Sequence, residues 1–420
     1  MNHSIAVVGS GITGVSTAYA LARRGFAVTV FERQRYPAME TSFANGGQLS
    51  ASNAEVWNQW STILKGLRWM LRSDAPLLVN PKPSWHKLSW FAEFVAAIPR
   101  YEANTIATTQ LAIAARAPLL AWAQEENIAF DLRRQGILHI YRDRESFEHA
   151  GHVSKLLAQG GLQRDAVTPT EMRAIEPTLS GQYYGGYYTQ SDATGDIHLF
   201  TNALAQAAAR RGTRFVLDCD VQSVRSEAGR ISVTTRQNNA IETAVFDGVV
   251  VCAGTASRAL AAQLGDRMNV YPVKGYSITI PLADPTSQAA APTVSLLDDA
   301  TKIVTSRLGD GRFRVAGTAE FNGFNRDIRS DRIRPLVRWV ETCFPGVSTR
   351  QAIPWAGLRP MMPDLMPRVC RGRAPGVFYN TGHGHLGWTL SAATAEQISA
   401  LIEQTLSKAA ASRTGQAAFA

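Results

Sequence analysis

An α/β fold, in which a Rossmann-like sheet is interleaved with an α+β domain built on an antiparallel sheet, is predicted by three features of the sequence. Short apolar runs end on glycine-rich turns that lead into stretches of helical period. These pieces lie far apart, near residues 5, 250 and 380, so one domain must be assembled from separated segments. Between 270 and 320 the chain instead alternates like antiparallel strands, as in Gly275-Tyr276-Ser277-Ile278-Thr279-Ile280 and Phe313-Arg314-Val315-Ala316.

The first segment is the most specific. Ile5-Ala6-Val7-Val8 runs into Gly9-Ser10-Gly11-Ile12-Thr13-Gly14, a helix-period stretch follows, and Val28-Thr29-Val30-Phe31 ends on Glu32. In that order the pieces make a dinucleotide-binding βαβ unit. Gly9 allows the tight turn, Gly11 lets the backbone approach a pyrophosphate at the helix start, and Gly14 lets helix and strand pack closely. Glu32, 18 residues past Gly14, is placed to accept hydrogen bonds from a ribose diol. An acid at that position argues against a 2′-phosphate and so against NADP. Ser10, Ile12, Thr13 and Arg33 complete the candidate nucleotide contacts of this segment.

The composition frames the rest. A chain of 420 residues, 45% apolar and 18% charged, is long enough for two domains and is globular rather than disordered. Cys219, Cys252, Cys343 and Cys370 lie far apart with no CxxC pair. That pattern supports neither a disulfide framework nor a metal site, and fits a reducing, cytoplasmic setting. The first strand follows Met1 almost directly, so no secretory leader is expected, and no run approaches the roughly 18 apolar residues of a membrane span. The net charge of +9 favours anionic partners, but no basic block or nucleic-acid module is present, so nucleic acid is not expected.

Further along, residues 53–150 are mostly helical and aromatic, and 199–211 read as an amphipathic helix ended by Gly212. Strands follow at 214–217 and 221–224, and Asp247-Gly248-Val249-Val250-Val251-Cys252-Ala253-Gly254 is a buried strand stopping at a glycine turn. Val377-Phe378-Tyr379-Asn380 ends in a second glycine-rich turn that leads into a helical stretch at 391–406, another helix start aimed at negative charge. The expected division is therefore 1–52, 190–266 and 368–406 for the nucleotide-binding domain and 53–189 with 267–367 for the other. Residues 407–420 are expected to form a disordered tail.

Five motifs carry a resemblance: Glu40-Thr41-Ser42-Phe43-Ala44-Asn45-Gly46-Gly47-Gln48-Leu49-Ser50, Gly195-Asp196, Tyr271-Pro272-Val273-Lys274-Gly275-Tyr276-Ser277, Trp355-Ala356-Gly357-Leu358-Arg359-Pro360, and Asn380-Thr381-Gly382-His383-Gly384-His385-Leu386-Gly387-Trp388-Thr389. In this order, over residues 5 to about 404, the chain resembles the small-subunit type of bacterial D-amino acid dehydrogenase. That group lies within the FAD-dependent amine oxidoreductases that include D-amino acid oxidase, glycine oxidase and sarcosine oxidase. The resemblance implies FAD as cofactor and a small amino acid as substrate, oxidised to a 2-oxo acid and ammonia by hydride transfer from the α-carbon to flavin N5. D-selectivity, and a quinone or other respiratory electron acceptor, are implied in the same way. Glycine, N-methyl and cyclic imino acids such as hydroxyprolines stand as alternative substrates of an oxidase or dehydrogenase, and a non-catalytic FAD-binding electron-relay subunit as the alternative of another class.

The same motifs nominate the site. Thr41, Ser42, Asn45, Gly46, Gly47, Gln48 and Leu49 form a small polar loop suited to the cofactor's ribityl and phosphate groups. Ala253 and Gly254 close over the nucleotide at a strand end, and Val221 is nominated for the adenine, by resemblance only. Gly382, His383, Gly384, His385, Leu386, Gly387, Trp388 and Thr389 bring backbone amides to the flavin's electron-accepting edge, with Gly357 across from them. For the substrate carboxylate Arg359 is the first choice, since guanidinium offers a planar fork. Tyr276 is nominated to add a hydroxyl there, with Arg307 and then Lys274 as weaker cations. His383 is a candidate base, weighed against a purely backbone role for its turn.

Two features complicate this reading. After Met362-Pro363-Asp364 the family usually continues through a glycine, a proline and a short apolar turn, whereas this chain has Leu365-Met366-Pro367-Arg368-Val369-Cys370-Arg371, so substrate range or flavin reactivity is expected to differ. Five of the nine tryptophans, Trp57, Trp60, Trp69, Trp85 and Trp90, fall among Lys65, Arg68, Arg72, Lys82 and Lys87. Such a stretch is either a contact with an anionic membrane surface, peripheral on the inner face of the cytoplasmic membrane, or an aromatic lid over the active site.

Overall fold

The computed structural model describes residues 3–69, 75–227 and 229–417. A six-stranded sheet takes its strands from the two ends and the middle of the chain, in the order Arg368–Arg371, Val377–Thr381, Gly248–Val251, Ser4–Val8, Ala27–Phe31 and Arg214–Val216. All pairs are parallel except the outer one, Arg368–Arg371 on Val377–Thr381. The strand Ser4–Val8 is central and both its faces are buried. Ile5 and Val7 join Ala18 and Leu21 of helix α1 (Ile12–Arg23) and Ile398 and Ile402 of the C-terminal helix Gly387–Ala417. Ala6 and Val8 join Val224, Ile231 and Phe246 of a three-stranded antiparallel sheet on the other side. Continuous apolar runs are what such a two-faced parallel sheet requires.

Backbone meets backbone at the first turn. Gly9 has φ +100°, and a Cβ there would lie 2.7 Å from the Cys252 carbonyl oxygen. A Cβ on Gly14 would lie 1.9 Å from the Gly9 carbonyl oxygen, so no other residue fits without moving α1 off the sheet.

A second sheet runs Ile353–Met361, Tyr271–Pro281, Arg312–Phe321, Ile303–Leu308, Ser295–Asp298, Ile137–Tyr141, Gly185–Thr189 and Asp165–Val167, with Leu77–Val79 added beside Arg312–Phe321. It is antiparallel apart from the pairs Ser295–Asp298 with Ile137–Tyr141 and Arg312–Phe321 with Leu77–Val79. Tyr276, Ile278, Phe313 and Val315 on one face pack under Leu336 and Val340 of the helix Ser330–Cys343. The opposite face, with Gly275 and Ser277, borders the cavity described below.

Helices α2 (Trp60–Trp69), α3 (Trp85–Ala96) and α4 (Tyr101–Glu125) occupy the aromatic stretch. Although α4 falls within the segment assigned to the second domain, Leu119 and Trp122 pack into the layer of α1 and the C-terminal helix, Trp122 edge-on to Tyr19 at 5.3 Å between centroids. The segment from 407, expected to be disordered, instead continues the C-terminal helix to Ala417. Its alanines are strong helix formers, and extending an existing helix needs no new nucleus. Residues 418–420 lie outside the described residues, as does Arg72.

Gly14→Ala is expected to destabilise the protein by about 1–3 kcal/mol, the usual cost of overpacking, and to lower nucleotide retention. Denaturant unfolding of the cofactor-free protein, with bound cofactor assayed separately, checks both effects.

Candidate active site

A cavity of about 540 Å³ opens between the two sheets and collects most of the residues nominated from sequence. Gly9, Gly11, Ile12, Thr13, Glu32 and Arg33 line its nucleotide end, with Val221, Ala253 and Gly254. Thr41, Ser42, Asn45, Gly46, Gly47 and Gln48 continue the wall to Gly357, Arg359 and the turn Gly382, His383, Gly384, His385, Leu386, Gly387, Trp388 and Thr389. Three nominated cofactor residues are not on that wall. Ser10 directs its N–H and hydroxyl to Glu32 Oε2, at 2.7 and 2.8 Å, because it points back between the two flanking glycines. Gly14 sits inside the helix–strand contact. Leu49, one residue past Gln48 on a strand, points the other way, into the core of α1 and the C-terminal helix.

Glu32 braces the turn as well as facing the cavity. Oε1 accepts only from the Gln34 amide, at 2.9 Å, so it keeps acceptor capacity for a ribose hydroxyl. The residues present suit FAD. Helix α1 starts at Gly11 with no side-chain cap, and the turn at His383 is likewise uncapped. A Cβ on Gly11 would meet nothing closer than Ser42 Oγ at 3.6 Å, so the backbone is open to a phosphate. Trp388 lines the cavity, and its buried indole N–H has no partner among the described residues.

At the other end Arg359 projects from Ile353–Met361 across Gly275. A Cβ on Gly275 would lie 2.3 Å from the Arg359 guanidinium carbon, so that glycine is what makes room for the cation. Its neighbour Gly357 is covered by Trp355, whose ring would be 2.1 Å from a Cβ there. Arg359 Nη1 donates to the Thr318 carbonyl at 2.8 Å, and the guanidinium has no ion-pair partner among the described residues. Burial pulls its pKa down to about 10, which leaves it charged at neutral pH.

The other nominated substrate cations are corrected by strand alternation. Tyr276 and Lys274 lie on the opposite face of their strand from Gly275. The Tyr276 hydroxyl donates to Glu320 Oε2 at 2.8 Å, and Lys274 Nζ lies 3.3 Å from Glu320 Oε1 and donates to Asn325 Oδ1 at 2.7 Å. Lys274 is thus held off the cavity wall, whereas Tyr276 borders the cavity with its hydroxyl held by Glu320. On Ile303–Leu308, Ser306 turns toward the cofactor loop, its hydroxyl donating to the Gly46 carbonyl at 2.7 Å. Arg307 next to it therefore faces outward, donating to the Gln288 and Ala291 carbonyls at 3.0 and 3.1 Å, and does not line the cavity.

His383 shares a 3.0 Å hydrogen bond with Thr394 Oγ1, and burial pushes its pKa down to about 3. His385 lies flat on Trp57, with ring centroids 4.6 Å apart. Burial, with repulsion from Arg359 and Lys302, lowers its pKa to about 4. Both are therefore neutral near pH 7, which weighs against His383 as a base.

The unusual segment 365–371 stays off the cavity wall, contrary to its expected influence on substrate range. Leu365, where the family has glycine, adopts φ +60° and is buried, while Arg368 pairs with Asp364 at 2.9 Å. The tryptophans divide. Trp57 and Trp69 line the cavity and Trp90 is buried, its indole N–H donating to the Met361 carbonyl, whereas Trp60 and Trp85 are 61% and 80% exposed. Lys87 is also buried, its ammonium held by the Asn80 and Lys82 carbonyls. Sequence reading missed Glu55, which stands in no motif and is brought to the cavity only by the fold, and passed over Trp355 although it opens the motif that contains Arg359.

The fold and cavity define an FAD-dependent oxidoreductase. The chain belongs to the family described as FAD dependent oxidoreductase, whose pattern matches residues 4–401. It is 60% identical to D-amino acid dehydrogenase 3 of Mesorhizobium japonicum over 96% of this chain and 97% of that one. It is 39% identical to D-amino acid dehydrogenase of Paramagnetospirillum magneticum over 95% and 94%. Among solved structures the fold is similar to glycine oxidase from Geobacillus kaustophilus (TM-score 0.75, 20% identity, 96% of each chain) and to L-proline dehydrogenase from P. horikoshii (TM-score 0.72, 17% identity, 96% and 94%).

The buried histidines make stability depend on pH. His383 takes a proton near its ordinary value of 6.5 when unfolded but only near 3 when folded. Between those values the unfolded state binds more protons, so stability is full above about 6.5 and falls as pH drops. At pH 5 the loss from this residue is about 2 kcal/mol. His383→Gln is expected to lose that much less between pH 7.5 and pH 5, measured by denaturant unfolding at both.

Proposed function

We propose that this protein oxidises the α-carbon of small D-amino acids, with FAD bound along the cavity and Arg359 holding the substrate carboxylate. FAD-dependent oxidative deamination to a 2-oxo acid and ammonia is the activity that the family and the 60% identical relative support. The observation that carries the substrate assignment is a charged guanidinium in the cavity wall without a carboxylate partner among the described residues. Bound FAD supplies the hydride acceptor. The chain supplies position and charge. Arg359 fixes the carboxylate, Gly275 makes room for its guanidinium, and the neutral rings of His385 and Trp57 wall the substrate without placing a second positive charge beside its amine. Fixing the carboxylate selects which face of the α-carbon is presented, and hence which enantiomer reacts.

The two-domain division expected from sequence is also our reading, supported by strand membership. Every strand of the six-stranded sheet falls in 1–52, 190–266 or 368–406, and every strand of the nine-stranded sheet falls in 53–189 or 267–367.

We further infer a quinone or other respiratory acceptor, reached at an anionic membrane surface. No helix of the described residues is long and apolar enough to cross a membrane. A peripheral contact is supported by exposed Trp60 and Leu64 on α2 and Trp85 and Leu88 on α3, accompanied by exposed Lys65, Arg68 and Lys82.

Arg359→Lys replaces a bidentate fork by a point charge and is expected to raise KM for D-amino acids roughly 30-fold, about 2 kcal/mol, with FAD content unchanged. Steady-state kinetics alongside the flavin spectrum checks it; unchanged kinetics would assign Arg359 to structure.

Co-sedimentation with vesicles containing acidic lipid should be strong at low salt and weaken as salt rises. Turnover with a quinone analogue should exceed that with oxygen. A protein that stays in the supernatant and reduces oxygen as fast as quinone overturns the membrane reading.

A further inference from the structure

The cavity continues past Arg359 along the face of the second sheet. Arg359 Nη1 reaches the Thr318 carbonyl on Arg312–Phe321. On that strand and the next three, Ala316, Val304, Leu297 and His139 stand directly opposite one another, and all four border the cavity. Three strand spacings, roughly 14 Å, therefore separate the Arg359 end of this wall from the strand of His139. Tyr187 is the next residue of the row, opposite His139, and Arg164 lies over its ring, 5.0 Å from the centroid. Arg164 borders the cavity, yet its Nε and Nη2 are buried and have no partner among the described residues. Its polar neighbour, the Tyr141 hydroxyl, is neutral.

Two desolvated N–H groups of a guanidinium are costly to leave unpaired, and a carboxylate fits them as a fork. Stacking on Tyr187 holds the guanidinium plane without consuming those donors. The other charged groups at this end also suit an anion. Lys65, His149 and Lys302 border the cavity and are exposed. Of the two carboxylates beside them, Asp299 is paired with Lys302, and Glu55 Oε1 accepts from the Tyr101 hydroxyl at 2.7 Å and the Gln59 amide at 2.9 Å. We propose that Arg164 is a second anion subsite, which takes the terminal carboxylate of a D-amino acid whose α-carboxylate is held at Arg359. This rests on the D-amino acid reading above and names the substrate class within it. The length of wall between the two guanidinium groups is more than D-alanine or D-aspartate can bridge, and it suits a side chain of several carbons ending in a carboxylate.

The test compares kcat/KM of the FAD-loaded enzyme for D-2-aminoadipate, D-norleucine and D-lysine, with D-alanine as reference and an artificial electron acceptor. The first three share a six-carbon chain and end in a carboxylate, a methyl group and an ammonium. The wild type is expected to favour D-2-aminoadipate over D-norleucine roughly tenfold or more, mainly through KM. Arg164→Gln should lower that ratio about tenfold, and Arg164→Lys, which keeps the charge without the fork, should give an intermediate ratio. FAD content and thermal unfolding report that each variant is folded. A D-2-aminoadipate to D-norleucine ratio near or below one in the wild type, a ratio unmoved by Arg164→Gln, or a preference for D-lysine over D-2-aminoadipate overturns the proposal while leaving the D-amino acid reading intact. If no D-amino acid, D-alanine included, is oxidised by the wild type, that reading falls and this proposal falls with it.

Discussion

The structure depends on backbone approaching backbone where no side chain can stand. Gly14 rests on the Gly9 carbonyl, and that contact sets the angle at which α1 leaves the sheet, so that its first turn faces the cavity, with the Ile12 amide donating to Ser42 Oγ at 3.1 Å. The same device recurs at the substrate end. Gly275 stands opposite Gly357 in the strand register, and the two missing side chains are filled by the Arg359 guanidinium and the Trp355 ring. Each end of the cavity is thus built by removing a Cβ and admitting another group into the space.

Much of this was legible in the sequence because glycine spacing reports backbone geometry directly. The βαβ unit, the second glycine turn and Arg359 all fall where the motifs put them. Side-chain direction was less legible. Lys274 and Arg307 sit in the right strands, yet one residue of alternation turns them to the far face, and sequence shows the period without saying which phase meets the cavity. The tryptophan stretch offered a choice between lid and surface; the fold spends Trp57 and Trp69 on the cavity, Trp90 on the core, and leaves Trp60 and Trp85 outside. Residues such as Glu55, which reach the cavity only through the fold, leave no local trace.

The departure at 365–371 shows how a family position and a residue type can come apart. Glycine is the usual occupant because the backbone there has positive φ, and Leu365 holds the same conformation at φ +60°. The strain of a left-handed leucine, about 1–2 kcal/mol, is offset by burying its side chain beside Trp90 and Met361. The backbone path is kept, and the two arginines turn away from the cavity.

The discontinuity of the nucleotide-binding sheet bears on how the chain matures. Ser4–Val8 is made well before much of its sheet: Gly248–Val251 follows only after several strands of the second sheet, and Val377–Thr381 with its helix comes later still. Local contacts cannot close this core early, so the first strand must wait, exposed or held by other surfaces, while the intervening sheet forms. Cofactor capture is therefore a late event of synthesis, and a truncated product lacks the second glycine turn whatever else it folds.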